Sequence, residues 1–363
     1  MRILVVHPAY LGDTVFLGPA VRALKARWPI AEVGLAVSPR GETVARLLPG
    51  VDEVFVFDKR RGDKGLGGLV RRGRQIREFA PELALVSHPS MRSGALAWLS
   101  RAPRRVGYAP LCTEKVTLDR GRPFVDRALH LAARVGAPSE DRALRMRPPE
   151  GLDAYATEAL RGAGHPVVGI VPGAEWATKR WGEEKYAALA AELSRLGGTS
   201  VLLGGPDERE ASRRIAARAG ADLRDTTGNS IPEALAILAR CDLVVGGDTG
   251  LVHCARALGR RTVIVFGPTD PGRHVFGGAE APVRHEIACA PCHDHGPKRC
   301  PLRHHGCMTD LDVADVAARA RELLGGAPGG PGGAGGVGGS AARGGAGGGA
   351  GAAGPAASGR EGA

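Results

Sequence analysis

Segment 243–253 combines a short apolar run, a glycine-rich turn and the start of a helix. The apolar run predicts a strand covered on both faces, as in parallel sheets. A helix that opens at the end of a strand presents unpaired N–H groups, so Asp248-Thr249-Gly250 predicts a phosphate site, and His253 can face the same anion. The alternative is an ordinary strand-to-helix corner in which Asp248 or Thr249 caps the helix.

Short apolar runs recur along the chain, each followed by turn residues and a segment of helical periodicity. This alternation predicts an α/β fold of doubly wound parallel sheets. The predicted strands are 3–6, 33–37, 54–57, 83–86, 167–171, 201–203, 243–245 and 263–266. Because the alternation restarts after a Pro- and Gly-containing stretch, we expect two domains, 1–150 and 165–324.

Composition limits the remaining possibilities. The net charge of +11 favours acidic partners, whereas 4% aromatic residues argue against a surface that stacks nucleic-acid bases. Residues 325–363 are almost entirely Gly, Ala, Pro and Ser, which predicts a disordered tail. With no apolar membrane span and no hydrophobic signal core at the N-terminus, the expected location is cytoplasmic.

Asp13 lies between the loop after the first predicted strand and a predicted helix over 14–28. It is either an N-cap or a carboxylate at the edge of the sheet where ligands bind. The loop before it lacks G-x-G-x-x-G, and the chain has no G-x-x-x-x-G-K-[ST]. These absences argue against a dinucleotide oxidoreductase and a P-loop NTPase.

Basic residues follow two predicted strands. Lys179 comes after strand 167–171, where a cation can balance the charge of a departing diphosphate without a metal. Lys59, Arg60, Arg61 and Lys64 form a loop that can grip an anionic substrate. The alternative for both groups is an ordinary solvated surface.

Four of the seven cysteines lie close together in the sequence, at positions 289, 292, 300 and 307. Four histidines lie among them, at positions 293, 295, 304 and 305, and cysteine and histidine residues in such a cluster can hold structural zinc. The spacing to the third and fourth cysteine is irregular for a zinc module, which favours free thiols or redox-labile pairs, and the role of the cluster stays open.

Taken in order, these segments resemble glycosyltransferase family 9, the lipopolysaccharide heptosyltransferases. The resemblance spans about residues 1–324 and is closest to the branch that adds the second heptose. The matching segments are Leu11-Gly12-Asp13, Pro172-Gly173-Ala174-Glu175 with Lys179-Arg180-Trp181, Asp248-Thr249-Gly250 with His253, Phe266-Gly267-Pro268-Thr269, and Cys289–Met308.

The resemblance implies a GT-B fold, in which two Rossmann-like domains face each other across a cleft. It implies inverting, metal-independent transfer of heptose, without a cofactor, from ADP-heptose to the lipid A–Kdo–heptose inner core of lipopolysaccharide. A basic protein also suits an acceptor in the anionic cytoplasmic face of the inner membrane. A transferase for another nucleotide sugar and a non-catalytic nucleotide-sugar-binding protein stay open as alternatives.

The resemblance also assigns roles to the matching residues. Asp13 corresponds to the family's proposed general base, and the basic loop of Lys59, Arg60, Arg61 and Lys64 to the region that grips acidic core sugars. The residues that correspond to the donor site are Lys179, Asp248, Thr249, Gly250 and His253. Asn229 is a further candidate, for contact with the adenosine.

Overall fold

The chain folds around two parallel six-stranded sheets, one after the other in the sequence. A computed structural model describes residues 1–220 and 223–325. The first sheet contains β1 (Arg2–His7), β2 (Glu32–Val37), β3 (Glu53–Val56), β4 (Leu83–Val86), β5 (Arg104–Gly107) and β6 (Glu114–Lys115). The second contains β7 (Val167–Val171), β8 (Thr199–Leu202), β9 (Leu223–Asp225), β10 (Leu243–Gly247), β11 (Arg261–Phe266) and β12 (Glu280–Arg284).

Helices connect the strands and cover both sheets. In the first half they are α1 (Leu11–Val15), α2 (Gly18–Arg27), α3 (Glu42–Leu47), α4 (Gly65–Glu78), α5 (Met91–Leu99) and α6 (Phe124–Arg134). In the second half they are α7 (Asp153–Ala159), α8 (Glu183–Ser194), α9 (Arg209–Ala219), α10 (Ile231–Leu238), α11 (Gly250–Ala257), α12 (Gly306–Thr309) and α13 (Val313–Gly325). Among the described helices, none combines the length and the apolar character needed to cross a membrane.

Both sheets have the same topology. The strand orders are β3-β2-β1-β4-β5-β6 and β12-β11-β10-β7-β8-β9, with every pair parallel. Each sheet thus reverses its direction of winding beside its first strand, at β1–β4 and at β7–β10, as in Rossmann folds. The central strands are buried on both faces, which accounts for their continuous apolar sequences.

The predicted α/β fold of two doubly wound sheets is confirmed. The eight predicted strands are all present, within one or two residues at their ends. The four strands that were not predicted are β5, β6, β9 and β12. Those strands are short or partly polar and lie at or next to the sheet edges, where one side needs no apolar cover.

The predicted single helix over 14–28 is wrong, because the structure has two helices there. The first, α1, begins three residues earlier, at Leu11, and ends at Val15, and α2 begins at Gly18. Pro19 lies in the first turn of α2 and has no N–H group to continue the hydrogen bonding of α1. The break leaves Asp13 in a short helix of its own.

The predicted domain limits stay a prediction. The first sheet ends at Lys115 and the second begins at Val167, so the expected boundary between 150 and 165 falls between them. Apart from Gly325, the last residue of α13, the predicted tail 325–363 lies outside the described residues.

Candidate active site

A cleft of about 630 Å³ lies where the carboxyl ends of both sheets meet. The first half contributes α1, Arg40 and Phe124, and the second half contributes the loops that follow β7, β8 and β10. Loops that leave a switch point diverge to opposite faces of the sheet and open a crevice between them. The common topology of the two sheets therefore places one switch point on each side of the cleft.

Asp13 lines the cleft from the third position of α1. Its carboxylate is half-buried, and Oδ2 accepts a hydrogen bond of 3.2 Å from the backbone N–H of Tyr10. Burial raises the pKa of Asp13, although His295, the Tyr10 N–H group, His88 and Lys179 all act in the opposite direction. A carboxylate with a raised pKa is a stronger base than an exposed aspartate.

The start of α1 packs directly against the start of α11. A Cβ atom added to Gly250 would lie 2.6 Å from Cδ2 of Leu11 and 3.1 Å from the backbone nitrogen of Gly12. Side chains cannot occupy that space, so glycine at position 250 allows the two helix starts to meet. This contact brings Asp13 and the Asp248-Thr249-Gly250 turn to the same cleft.

Asp248 is the centre of a buried polar cluster. Its Oδ1 accepts a hydrogen bond from Nε2 of His253 at 2.9 Å and lies 3.4 Å from Nε2 of His274. Its Oδ2 contacts Nζ of Lys179 at 2.5 Å and accepts from Oγ1 of Thr269 at 2.9 Å. The Asp248 side chain therefore does not cap α11, and Thr249 occupies the N-cap position without a capping side-chain bond.

The charges in this cluster follow from burial and pairing. Burial alone would raise the pKa of Asp248, but Lys179, His253 and His274 lower it well below its ordinary value. Burial lowers the pKa of His253 to about 3, against the opposing effect of Asp248. At neutral pH the cluster thus contains a carboxylate, a neutral His253 and the ammonium of Lys179 as counter-ion.

Lys179 ends a short 3₁₀ turn, Ala177–Lys179, in the loop after β7. The ammonium also donates to the backbone oxygen of Asp248 at 3.0 Å, and the side chain is only 13% exposed. Thr178 Oγ1 donates to the backbone oxygen of Pro297 at 2.5 Å, and His305 Nε2 lies 2.8 Å from the backbone oxygen of Thr178. The turn is therefore anchored to the cysteine-containing loop near the end of the chain.

The N-terminus of α11 offers donors to an anion. The first N–H groups of a helix have no partner inside it, and the helix dipole adds a partial positive charge. Thr249 Oγ1 is buried and has no hydrogen-bond partner among the described residues. Thr249 and Gly250 both line the cleft beside Lys179. The arrangement has the donors and the cation that a diphosphate needs.

The only His, Cys, Asp or Glu trio in the described residues whose ligand atoms lie within 4.8 Å of one another is Asp248, His253 and His274. The imidazole Nε2 atoms both face Oδ1 of Asp248, while Oδ2 contacts Lys179 and Thr269. The Lys179 ammonium already supplies the positive charge that a metal ion would bring. The residues present therefore fit an ion pair better than a metal centre.

The remaining predicted site residues lie away from the cleft lining. Asn229 accepts from the Tyr155 hydroxyl at 3.3 Å, and Asn229 is absent from the residues that line the cleft. Lys59 is half-buried, with Nζ 3.5 Å from the backbone oxygen of Pro8, just after β1. The three other basic residues of that loop are exposed: Arg60, Arg61 and Lys64. Their predicted roles stay predictions.

Several cleft residues were missed from the sequence as ligand contacts. Arg40 forms an ion pair with Glu175, which joins the two halves beside the cleft. His274, Phe124 and His295 also line it. Arg40 had a local signal, because it lies three residues after the end of β2, and His274 had a weaker one, eight residues after the end of β11.

Comparison with known proteins gives a consistent result. A family model described as glycosyltransferase family 9 (heptosyltransferase) matches residues 69–299. Lipopolysaccharide heptosyltransferase 2 of Salmonella typhimurium is 28% identical over 292 residues, which are 75% of this chain and 84% of that protein. Lipopolysaccharide heptosyltransferase 1 of Pseudomonas aeruginosa is 29% identical over 311 residues, 80% of this chain and 86% of that protein.

Solved structures extend the similarity to the whole fold. The structure of Escherichia coli ADP-heptose lipopolysaccharide heptosyltransferase II is similar to this chain with a TM-score of 0.74 and 25% sequence identity. The similarity covers 89% of this chain and 98% of that chain. A glycosyltransferase family 9 structure from Veillonella parvula has a TM-score of 0.80 at 23% sequence identity, and the similarity covers 89% of this chain and 97% of that chain. The chain belongs to glycosyltransferase family 9, the heptosyltransferases.

Proposed function

We propose that this glycosyltransferase moves heptose from ADP-heptose to the inner core of lipopolysaccharide, with inversion at the anomeric carbon. The observation that carries the proposal is the contact between the starts of α1 and α11. It brings the Asp13 carboxylate into the same cleft as the Lys179–Asp248 pair and the unpaired hydroxyl of Thr249.

In the proposed reaction, Asp13 removes the proton from an acceptor hydroxyl. The freed oxygen attacks the anomeric carbon of the donor while the bond from that carbon to the phosphate oxygen breaks. ADP leaves with the bonding electron pair, and the proton ends on Asp13. The raised pKa of Asp13 suits this role, because a stronger base takes the proton more completely.

The departing diphosphate gains negative charge, and the second half of the cleft contains groups that stabilise such charge. Lys179 supplies a cation, and the first turn of α11 supplies backbone N–H groups. Asp248 holds the ammonium in place and keeps His253 in a fixed orientation through its second carboxylate oxygen. This set performs the task that a divalent ion performs in metal-dependent transferases.

The choice of donor and acceptor rests on the relatives. The curated relatives are named lipopolysaccharide or lipooligosaccharide heptosyltransferases, and the E. coli structure is named for ADP-heptose. We extend that donor and an acceptor of lipid A, Kdo and heptose to this chain. The net charge of +11 supports binding at an anionic membrane surface, with Lys59 and its loop directed to acidic sugars.

A donor–acceptor screen tests the proposal. Purified protein is mixed with heptose-bearing or heptose-free core lipid and with ADP-heptose, ADP-glucose or UDP-glucose, and release of the nucleoside diphosphate is measured. We expect ADP release only with ADP-heptose and a lipid acceptor, and the same rate with added Mg²⁺. If UDP-glucose were the only donor that gave turnover, the protein would be a transferase for another nucleotide sugar. Donor binding without any turnover would support a non-catalytic role.

A further inference from the structure

We propose that Cys289, Cys292, Cys300 and Cys307 form a four-thiolate site for one divalent ion that prefers sulfur, either zinc or ferrous iron. This site is separate from the transfer chemistry, and its proposed role is to hold the loop that supports Lys179. The four cysteines are free thiols that surround one small cavity of about 80 Å³. Four cysteines around one space are the usual ligand set of a structural zinc site.

The segment that contains the cysteines has no regular secondary structure, and hydrogen bonds such as those from the backbone N–H groups of Cys292 and His293 to the oxygen of Pro268 hold it to its surroundings. Residues 285–305, between β12 and α12, form neither a helix nor a strand. Loops of this length without secondary structure are uncommon in compact proteins, and those that are ordered usually have a function. The cavity wall between the thiols is largely apolar, with Pro268, Ala290 and Leu302 among its residues. Such surroundings exclude water and strengthen metal–thiolate bonds.

The neighbouring histidines have other partners, which leaves the four sulfurs as the ligands. Nδ1 of His304 accepts from the backbone N–H of Gly306 at 2.8 Å. The ring proton of His304 therefore lies on Nε2, which is 3.7 Å from Sγ of Cys289 and can donate to it. His305 is held by the backbone oxygen of Thr178 at 2.8 Å. A histidine that donates to a ligand sulfur orients that ligand.

Three basic residues lie in the loop that contains the cysteines. Lys298, Arg299 and Arg303 lie in the same loop and can offset the net charge of −2 on a divalent ion with four thiolates. The charges of the loop thus suit a negatively charged metal–thiolate site.

Binding requires a small inward movement of the thiols. No three of the four sulfur atoms lie within 4.8 Å of one another among the described residues. Around zinc, sulfurs sit about 2.3 Å from the metal and so less than about 4 Å apart. Cys292 is exposed and Cys289 and Cys300 are half-buried, so rotation of these side chains costs little packing. Cys307 is buried, so its sulfur keeps its position while the other three move toward it.

The site connects to the cleft through backbone contacts. Pro297 and His305 hold Thr178, the neighbour of Lys179. A Cβ atom on Gly296 would lie 3.2 Å from Cγ of Lys179, so the loop packs against that side chain. Asp294 and His295 reach the cleft itself. An ion at the four cysteines therefore fixes the position of Lys179 without contacting the donor.

Elemental analysis tests the site without any assay of transfer. The full-length protein is purified under reducing conditions, its zinc and iron are quantified, and a chelator-treated sample is titrated with Co²⁺. We expect about one equivalent of zinc or iron, and a cobalt spectrum with intense sulfur-to-metal bands and tetrahedral ligand-field bands. Zinc or iron as the bound metal supports the proposal equally, and the analysis identifies which it is.

Cys292→Ser and Cys300→Ser each remove one ligand with little loss of packing, and Cys112→Ser is the control outside the cluster. We expect both cluster variants to lose most of the bound metal and the cobalt bands, while Cys112→Ser keeps them; circular dichroism checks that each variant is folded. Folded wild-type protein with neither bound metal nor a cobalt spectrum would overturn the proposal. Full metal retention in both cluster variants, or a disulfide between two of the four cysteines under reducing conditions, would also overturn it.

Discussion

Gly12 and Gly250 meet so closely that a Cβ atom on Gly12 would lie 3.3 Å from Cα of Gly250. Gly12 belongs to α1 in the first half of the chain and Gly250 to α11 in the second. The residue after Gly12 is the candidate base, and the residues around Gly250 form the proposed anion site. The contact therefore sets the distance between the two chemical parts of the cleft.

Gly250→Ala tests whether this contact sets the catalytic geometry. The new methyl group would overlap Leu11 and force the two helix starts apart, at a cost of about 1–3 kcal/mol of stability. Because small displacements of reacting groups are costly, we expect kcat/KM to fall by about 10²-fold. Gly277→Ala is the control, since no atom lies within 4 Å of its added Cβ. Unchanged kcat/KM in folded Gly250→Ala would show that the contact does not set the geometry.

Asp13→Asn tests the assignment of the general base. The amide keeps the shape of the side chain but cannot take the acceptor proton, so we expect turnover to fall by at least about 10²-fold. The dissociation constant for ADP-heptose should change little, because the predicted donor contacts lie in the second half. Asp119→Asn, on the surface of the first half, is the control. Wild-type turnover in Asp13→Asn would remove Asp13 from the base role.

The pH dependence of kcat/KM gives a second test of the same residue. A base works only when deprotonated, so activity falls as pH falls through its pKa. Burial raises the pKa of Asp13, so the acid limb should lie above the 3.8 of an ordinary aspartate. His295 lowers that pKa, so removing its charge in His295→Gln should move the limb to higher pH. His130→Gln in α6 serves as the control, and a limb that does not move in His295→Gln would contradict the assignment.

Lys179 and Asp248 call for a double-mutant cycle, because each stabilises the other. Lys179→Ala leaves a buried carboxylate without its counter-ion, which should cost about 3–5 kcal/mol of stability and weaken ADP-heptose binding. Lys179→Ala combined with Asp248→Asn should regain much of that stability, since no charge is left uncompensated. Binding should stay weak in the double variant, as measured by calorimetry, if Lys179 contacts the diphosphate. Recovery of wild-type affinity would assign Lys179 a structural role only.

Local sequence patterns predicted the central strands and the turns at their carboxyl ends, because a strand buried on both faces must be continuously apolar. They could not predict that Lys179 pairs with Asp248, since 69 residues separate the two and the pairing depends on the order of β7 and β10. For the same reason the sequence left open that Asp248 caps α11, which it does not. His295 was considered only as a possible metal ligand, because only the folded loop brings it beside Asp13.

Position, more than charge, distinguishes Lys59 from the rest of its loop. Its ammonium lies at the end of β1, near the loop that leads to Asp13, whereas Arg60 and Arg61 face solvent. We therefore expect Lys59→Ala to raise KM for the lipid acceptor about 10-fold, a loss of about 1.4 kcal/mol typical of one charged hydrogen bond. Donor affinity should not change, because the predicted donor contacts lie in the other half.

Lys115→Ala, on the exposed β6 edge of the same sheet, controls for the loss of one positive charge. If the basic loop only raises the concentration of acceptor near an anionic membrane, both variants should weaken acceptor binding equally, and 0.5 M salt should remove the difference from wild type. If Lys59 contacts the acceptor, its effect should exceed that of Lys115 and persist in detergent micelles without anionic lipid. Equal KM values for wild type and Lys59→Ala would remove this residue from the acceptor site.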